Sequence, residues 1–288
     1  MLSSDDLSFY NTHGYLILKD FASAQVCSDM CSRAAYLLRT RDLKNAGSCS
    51  VQGFKNSNQD PEAFFRESVS GINFFFQNGA FDSDGKMVGD QNRSIIKIGH
   101  ALHDLDPVFK EYSHSTQIID LARKLGYKKP LIGQSRYFFK LPGAKGRIGA
   151  HQDSAALYTE PLSCFGVWLA LEDATVENGC IWVIPGSHRG GLRFRAVKAP
   201  HTGRQCTITV NDAVSWDEST FIPLEVSARS VILIQGEIVH KSDENLSSVS
   251  RQSYSIHIIE GDESHIYPNE NWLQRPEGFG RLGRFDKI

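Results

Sequence analysis

The residues most capable of chemistry in this 288-residue chain lie about midway along it, in Gly149-Ala150-His151-Gln152-Asp153-Ser154. His151 and Asp153 are two positions apart, and on an extended strand residues i and i+2 project from one face. An imidazole and a carboxylate would then converge on one point, with Gln152 turned away. Together they supply two of the three ligands of the 2-His-1-carboxylate triad, which holds non-haem Fe(II) and leaves coordination positions open. Alone, the pattern is weakly specific: with ten histidines and 33 acidic residues, about one His-x-acid is expected by chance.

A third ligand must come from elsewhere. Glu237-Ile238-Val239-His240 ends a strand-like run, and Arg251 lies eleven residues on (251 − 240), beyond the polar turn 241–248. Strand, loop and returning strand would set an arginine beside the strand that carries His240. His188, after the turn Pro185-Gly186-Ser187, is a rival third ligand, but no arginine follows it at strand spacing. An arginine so placed has a chemical use. A 2-oxoglutarate co-substrate chelates iron through its keto acid end and leaves a carboxylate several ångströms away. That carboxylate needs a planar bidentate cation, which arginine supplies and lysine does not. Such a pair contributes about 1.5–3 kcal/mol per hydrogen bond, and an unpaired buried carboxylate would cost more than that.

These residues need a scaffold, and the periodicity describes one. Residues 1–130 read as mostly helical support. Ser3-Ser4-Asp5-Asp6 resembles an N-cap run with Gly14 as the stop, Tyr15–Leu18 a short strand, and Ser23 to about Thr40 the clearest helix. Residues 43–60 and 78–93 read as polar loops. Ser94–His103 is an apolar stretch interrupted by Lys97, which is either solvent-facing or a buried cation reaching into a pocket. Helices follow from Asp106-Pro107 and from Ser115, the second stopping at Gly126.

Beyond residue 130 the period becomes that of strands. Candidates are Gln134–Leu141, Ile148–Asp153, Phe165–Leu171, Cys180–Ile184, Cys206–Val210, Phe221–Glu225, Ser230–Ile234 and Tyr254–Ile259. The fold class expected is mainly β with α: a jelly-roll or double-stranded β-helix barrel with the N-terminal helices packed on it. A single domain 1–288 is expected, with 131–262 as barrel core and 263–288 as tail.

Composition narrows the function classes. At 41% hydrophobic and 22% charged, the chain can bury a large core. A net charge of −2 gives no electrostatic case for nucleic acid or membrane. No transmembrane run, basic leader or Ser-Lys-Leu-type tail is present, and six scattered cysteines read as reduced thiols, so a cytoplasmic location is expected. There is no Walker A run and no Cys-x-x-Cys, which argues against P-loop nucleotide and zinc-deaminase chemistry. Gly133-Gln134-Ser135-Arg136-Tyr137 lacks the second glycine of a nucleophile elbow.

Four linked stretches then match a known pattern: His151-Gln152-Asp153; Glu177-Asn178-Gly179 through Pro185-Gly186-Ser187-His188; His240 with Asn245-x-Ser247-x-x-x-Arg251; and Phe9 to Phe21 at the start. In order and spacing they resemble the phytanoyl-CoA dioxygenase family over nearly the whole chain. The resemblance implies a double-stranded β-helix with His151, Asp153 and His240 as Fe(II) ligands. It implies Arg251 and Ser242 on the 2-oxoglutarate carboxylate, with Lys97 and Trp168 lining the same pocket. Arg136 departs from the family, whose members typically carry methionine there; this second cation would touch the co-substrate or the substrate, or sit at the rim.

The implied reaction uses O2 to turn 2-oxoglutarate into succinate and CO2 while hydroxylating a small molecule, with ascorbate at most a reductant. Asp153 favours hydroxylation, since Ala or Gly there would leave room for halide. The rival from another class is a non-catalytic metal- and ligand-binding β-barrel with the same ligands. His257, on an apolar strand, reads as core or a support of the site, and His100, His103 and His114 as structural. Substrate and oligomeric state are not legible.

Overall fold

The computed structural model describes residues 2–40, 46–50, 53–54, 68–77, 80, 82, 87–88, 94–143, 146–199, 205–211 and 215–283. The chain begins with α1 (Ser4–His13), β1 (Tyr15–Leu18) and α2 (Ala24–Thr40), then β2 (Ala46–Ser50), β3 (Gly53–Phe54), β4 (Ile72–Phe76) and β5 (Ile95–His100). Three short helices follow: α3 (Leu102–Leu105), α4 (Pro107–Ser113) and α5 (Thr116–Lys124). Strands then dominate: β6 (Pro130–Lys140), β7 (Ile148–His151), β8 (Phe165–Ala170), β9 (Ile181–Val183), β10 (Phe194–Lys198) and β11 (Gln205–Thr209). The last are β12 (Ile222–Leu224), β13 (Val231–Gln235), β14 (His240–Ser242), β15 (Arg251–Glu260) and β16 (Gly280–Arg281).

The large sheet runs β1-β13-β8-β15-β6-β5-β4-β2-β3, with β16 also on β6, and the small sheet runs β12-β9-β14-β7. This is the expected jelly-roll class in its double-sheet form. It is not a closed barrel, since both sheets end in edge strands. Period-2 alternation sorts the large sheet's side chains between two layers. Phe165, Val167, Leu169, Val231, Leu233, Tyr254, Ile256 and Ile258 join Met30, Phe109, Ile118 and Leu121 in the core beneath the helices. Trp168, Ala170, Ile232 and Ile234 point the other way and pack with Ile181, Val183 and Leu224 of the small sheet. Functional side chains can therefore sit only on this second face, between the sheets.

The N-terminal expectations hold at several points. Ser3 caps α1 in a capping box with Asp6, Gly14 ends it at φ 81°, and β1, α2, α4 and α5 lie close to where the pattern placed them. Two readings need correction. Residues 46–50 and 53–54, read as loop, are strands, and the remainder of 43–60 and most of 78–93 lie outside the described residues. The segment before residue 130 is also less helical than expected, because β4 and β5 extend the large sheet past β6. Within β4, Phe74-Phe75-Phe76 is a continuous apolar run with no period-2 signal, as a strand covered on both faces tends to be.

Candidate active site

His151 and His240 are register partners on β7 and β14 of the small sheet, so their rings lie side by side with centroids 4.2 Å apart. Asp153 stands just past β7. The strand ends at His151 rather than at Asp153, and a 3-10 turn begins at Asp153. Gln152 between them is still extended (φ −123°, ψ 129°), so the i, i+2 convergence survives. The His151 Nε2 lies 3.6 Å from Asp153 Oδ1, and the His240 Nε2 lies 3.7 Å from Asp153 Oδ2. One ligand atom from each of His151, Asp153 and His240 lies within 4.8 Å of the others, a spacing that can hold a metal ion. His188 is elsewhere, its Nε2 3.0 Å from the Asn11 carbonyl of α1.

The local chemistry suits a metal. His151 Nδ1 donates to the Gly149 carbonyl at 2.9 Å and His240 Nδ1 to the Ile238 carbonyl at 3.1 Å. A carbonyl only accepts, so each Nδ1 carries the hydrogen and each Nε2 keeps its lone pair for the centre. Burial, reinforced by the neighbouring His151, pushes the His240 pKa down to about 4 and keeps its ring neutral. Burial alone would raise the Asp153 carboxyl. The histidines around it, His257 foremost, outweigh burial and hold the carboxyl well below the usual range.

The His240 shift gives a pH dependence. An unfolded histidine takes up its proton near pH ~6.5, whereas folded His240 does so only near pH 4. Between these values the unfolded chain binds more protons, so stability rises with pH. The metal-free protein should lose stability as pH falls from about 6.5 towards 4. His100, held down chiefly by burial, acts in the same direction. Thermal midpoints that stay flat across that window would contradict this.

Gln152 has a task of its own. Its amide donates to the carbonyls of Gly191 (2.9 Å) and Glu237 (2.6 Å), and its oxygen accepts from Arg193 N (2.9 Å). It thereby ties the His151/Asp153 segment to the one that leads into His240. In Gln152→Leu three backbone groups lose their partner, at about 1–3 kcal/mol for each one left buried. A lower thermal midpoint together with weaker metal binding is expected from calorimetry of the variant.

The second half of the site is built on β15. Its inward residues, Arg251, Ser253, Ser255 and His257, advance about 6.6 Å per step. Ser253 is level with Phe138 of β6, which is level with Lys97 of β5. Ser255 is level with Arg136 on one side and Trp168 on the other. His257 is level with Gln134 and Gly166 and reaches Asp153, its Nε2 3.1 Å from Oδ2.

Arg251 is 2% exposed. It donates to Ser253 Oγ (2.8 Å), the Gly179 carbonyl (2.8 Å) and Ser242 Oγ (3.1 Å), and its Cζ lies 5.4 Å from the centre of the Trp168 ring. Its Nε is buried without a partner, and among the described residues no carboxylate pairs with it. Burial lowers its pKa only to about 10, so the charge persists. Neighbouring Lys140 is pushed down to about 6, by burial first and by Arg251 second, and its amine is spent on the carbonyls of Gly146, Ser242 and Asp243. A guanidinium sealed from water with an unused donor is a fit for the carboxylate of a dicarboxylic acid.

The surrounding motifs explain themselves locally. Gly179 sits at φ 87°, where a Cβ would stand 2.6 Å from the Asp243 carbonyl, and this turn aims its own carbonyl at Arg251. Asn245 donates to the carbonyls of Lys140 and Val249 and accepts from Ser247, closing the turn that delivers Arg251. Lys97 is half-buried, with Nζ 3.3 Å from His100 Nε2 and 4.3 Å from the Phe75 ring centre. Arg136 is half-buried too, and its Nε donates to Gln134 Oε1 at 3.2 Å. His100, read as part of the helical region, is instead the last residue of β5 and shares a hydrogen bond with Ser68.

The phytanoyl-CoA dioxygenase (PhyH) family profile matches residues 10–253. The chain belongs to that family. It is 41% identical over 278 residues to a phytanoyl-CoA dioxygenase of Arabidopsis thaliana, covering 95% of this chain and 94% of that one. It is 40% identical over 279 residues to phytanoyl-CoA dioxygenase domain-containing protein 1 of Bos taurus, covering 95% of each.

Among solved structures, the non-heme alpha ketoglutarate dependent carbocyclase SnoK from nogalamycin biosynthesis superposes with TM-score 0.63 at 17% identity, over 98% of this chain and 96% of that one. The epimerase SnoN, in complex with Fe3+, alpha ketoglutarate and nogalamycin RO, gives TM-score 0.61 at 14% identity, over 96% and 97%. PhyH membership places the chain among 2-oxoglutarate-dependent dioxygenases. Among the described residues, no helix is long and apolar enough to cross a membrane.

Proposed function

We propose that this PhyH enzyme oxidatively decarboxylates 2-oxoglutarate to succinate and CO2 and hydroxylates a small-molecule substrate. His151, Asp153 and His240 hold Fe(II), and Arg251 with Ser242 holds the distal carboxylate. The observation that carries this reading is the buried Arg251 guanidinium, with its unused Nε, facing the same interior as the His-Asp-His cluster. The SnoN neighbour, which holds Fe3+ and alpha ketoglutarate on a like fold, supports it.

Bound iron would supply the site for O2 activation, and the protein's part is positional. The two histidine Nδ1–H groups are fixed by backbone carbonyls, so both Nε2 lone pairs are aimed before any ligand arrives. Arg251 sets the direction of the co-substrate by pairing with one end of it, and Trp168 and Ser255 wall the space between guanidinium and metal cluster. Lys97, on the flank of that space, adds positive charge towards an anionic co-substrate, and Arg136 adds a second cation beside Ser255. Burial of Arg251 beside Trp168 lowers the local dielectric there, which strengthens its ionic contact.

The test is succinate release from 2-oxoglutarate by purified protein with Fe(II) and ascorbate. Turnover well above an Asp153→Ala control is expected, even without the hydroxylated substrate. No turnover and no 2-oxoglutarate binding would favour a non-catalytic ligand-binding protein instead.

A further inference from the structure

His257 belongs to neither the expected ligand set nor the co-substrate pocket, yet it makes the shortest ionic contact to the Asp153 carboxylate. Its Nε2 lies 3.1 Å from Asp153 Oδ2, within hydrogen-bond distance, whereas His151 and His240 stand 3.6 and 3.7 Å from the same carboxylate. An ionised carboxylate only accepts, so Nε2 carries the hydrogen. Among the described residues, the ring's other nitrogen, Nδ1, is buried with no partner, and Asp153 is the one polar contact that orients it. A histidine serving only the core would be expected to satisfy both nitrogens. Across the sheet, Gly166 is the register neighbour of His257, and a Cβ there would already touch Asp153 Oδ2 and His257 Nε2 at 3.6 Å each. That is ordinary van der Waals contact, so Gly166 marks how closely the strand backs the pair.

We infer that His257 is a positioning residue that fixes Asp153 as a one-oxygen ligand, holding Oδ2 by a hydrogen bond so that Oδ1 faces the metal. The inference rests on the oxygenase reading above and deepens it. A carboxylate bound through both oxygens would occupy one more coordination position. The chemistry proposed here needs positions for a bidentate keto acid and for O2, so a donor that withholds one oxygen keeps the site open.

The experiment compares Co(II) binding under anaerobic conditions in wild type, His257→Leu and His257→Gln. Leucine removes the donor, and glutamine places an N–H near the original Nε2. Calorimetry reads affinity, visible absorption of bound Co(II) reads coordination number, and thermal denaturation of the metal-free proteins checks folding. His257→Leu should bind Co(II) about 10–100-fold more weakly, as second-layer changes do, with an altered absorption spectrum. Glutamine should restore both affinity and spectrum to near wild type.

Equal loss in the two variants, or a leucine variant with the wild-type affinity and spectrum, overturns the inference. Should His257→Leu fail to fold, His257→Asn, too short to reach Oδ2, carries the same expectation against His257→Gln. A wild type that binds no Co(II) contradicts the metal reading itself. A wild type that binds it, with unaffected variants, contradicts only the role of His257.

Discussion

Asp153→Ala should abolish succinate release and weaken metal binding by well over about a hundredfold, since even changes one layer out from a metal cost about 10–100-fold. Asp153 is the only carboxylate in the described cluster, and its removal leaves two imidazoles with no anionic ligand beside them. The metal-free fold should be little harmed. The substitution removes a buried charge together with its desolvation cost, although His257 loses its partner. Metal affinity by calorimetry and thermal midpoint of the metal-free variant separate the two effects. A variant that retains metal at wild-type affinity would place the site elsewhere.

Arg251→Lys should weaken 2-oxoglutarate binding about ten- to a hundredfold while leaving metal affinity nearly unchanged. Lysine keeps the charge but loses the fork, and one charge-assisted hydrogen bond contributes about 1.5–3 kcal/mol, with about 1.4 kcal/mol for each tenfold change. Arg251→Leu should do worse, because the co-substrate's carboxylate would be buried opposite Trp168 with no cation. The separation from metal binding is expected because Arg251 enters from the first residue of β15, whereas the cluster lies level with His257, six residues on. Titration of 2-oxoglutarate into metal-loaded protein measures the first effect and metal titration alone the second. Loss of metal from the lysine variant would contradict the division of labour.

The sequence was informative wherever function and periodicity coincide on one strand. In β15, Arg251, Ser253, Ser255 and His257 alternate with Tyr254, Ile256 and Ile258, so the arginine's face could be read from the pattern, and His151-x-Asp153 is the same device in miniature. It was silent where structure depends on distant partners. Ala46–Ser50 carries no period and is a strand because it pairs with β4, and Phe74–Phe76 hides its strand character by being apolar on both faces. Gln152 and His257 were underestimated for a related reason. One hydrogen-bonds backbone groups 39 to 85 residues away, and the other reaches Asp153 104 residues back (257 − 153), so neither spacing forms a local motif. Arg136 was visible as a departure from the family, and its place beside Ser255 follows only from strand register.

The most direct test of the central claim is a crystal structure grown without oxygen, with Mn(II) standing in for Fe(II), and with 2-oxoglutarate. The metal is expected on His151 Nε2, His240 Nε2 and one oxygen of Asp153, with the far carboxylate of 2-oxoglutarate on the Arg251 guanidinium. A metal ligated without His240, or a keto acid bound away from Arg251, would contradict the account.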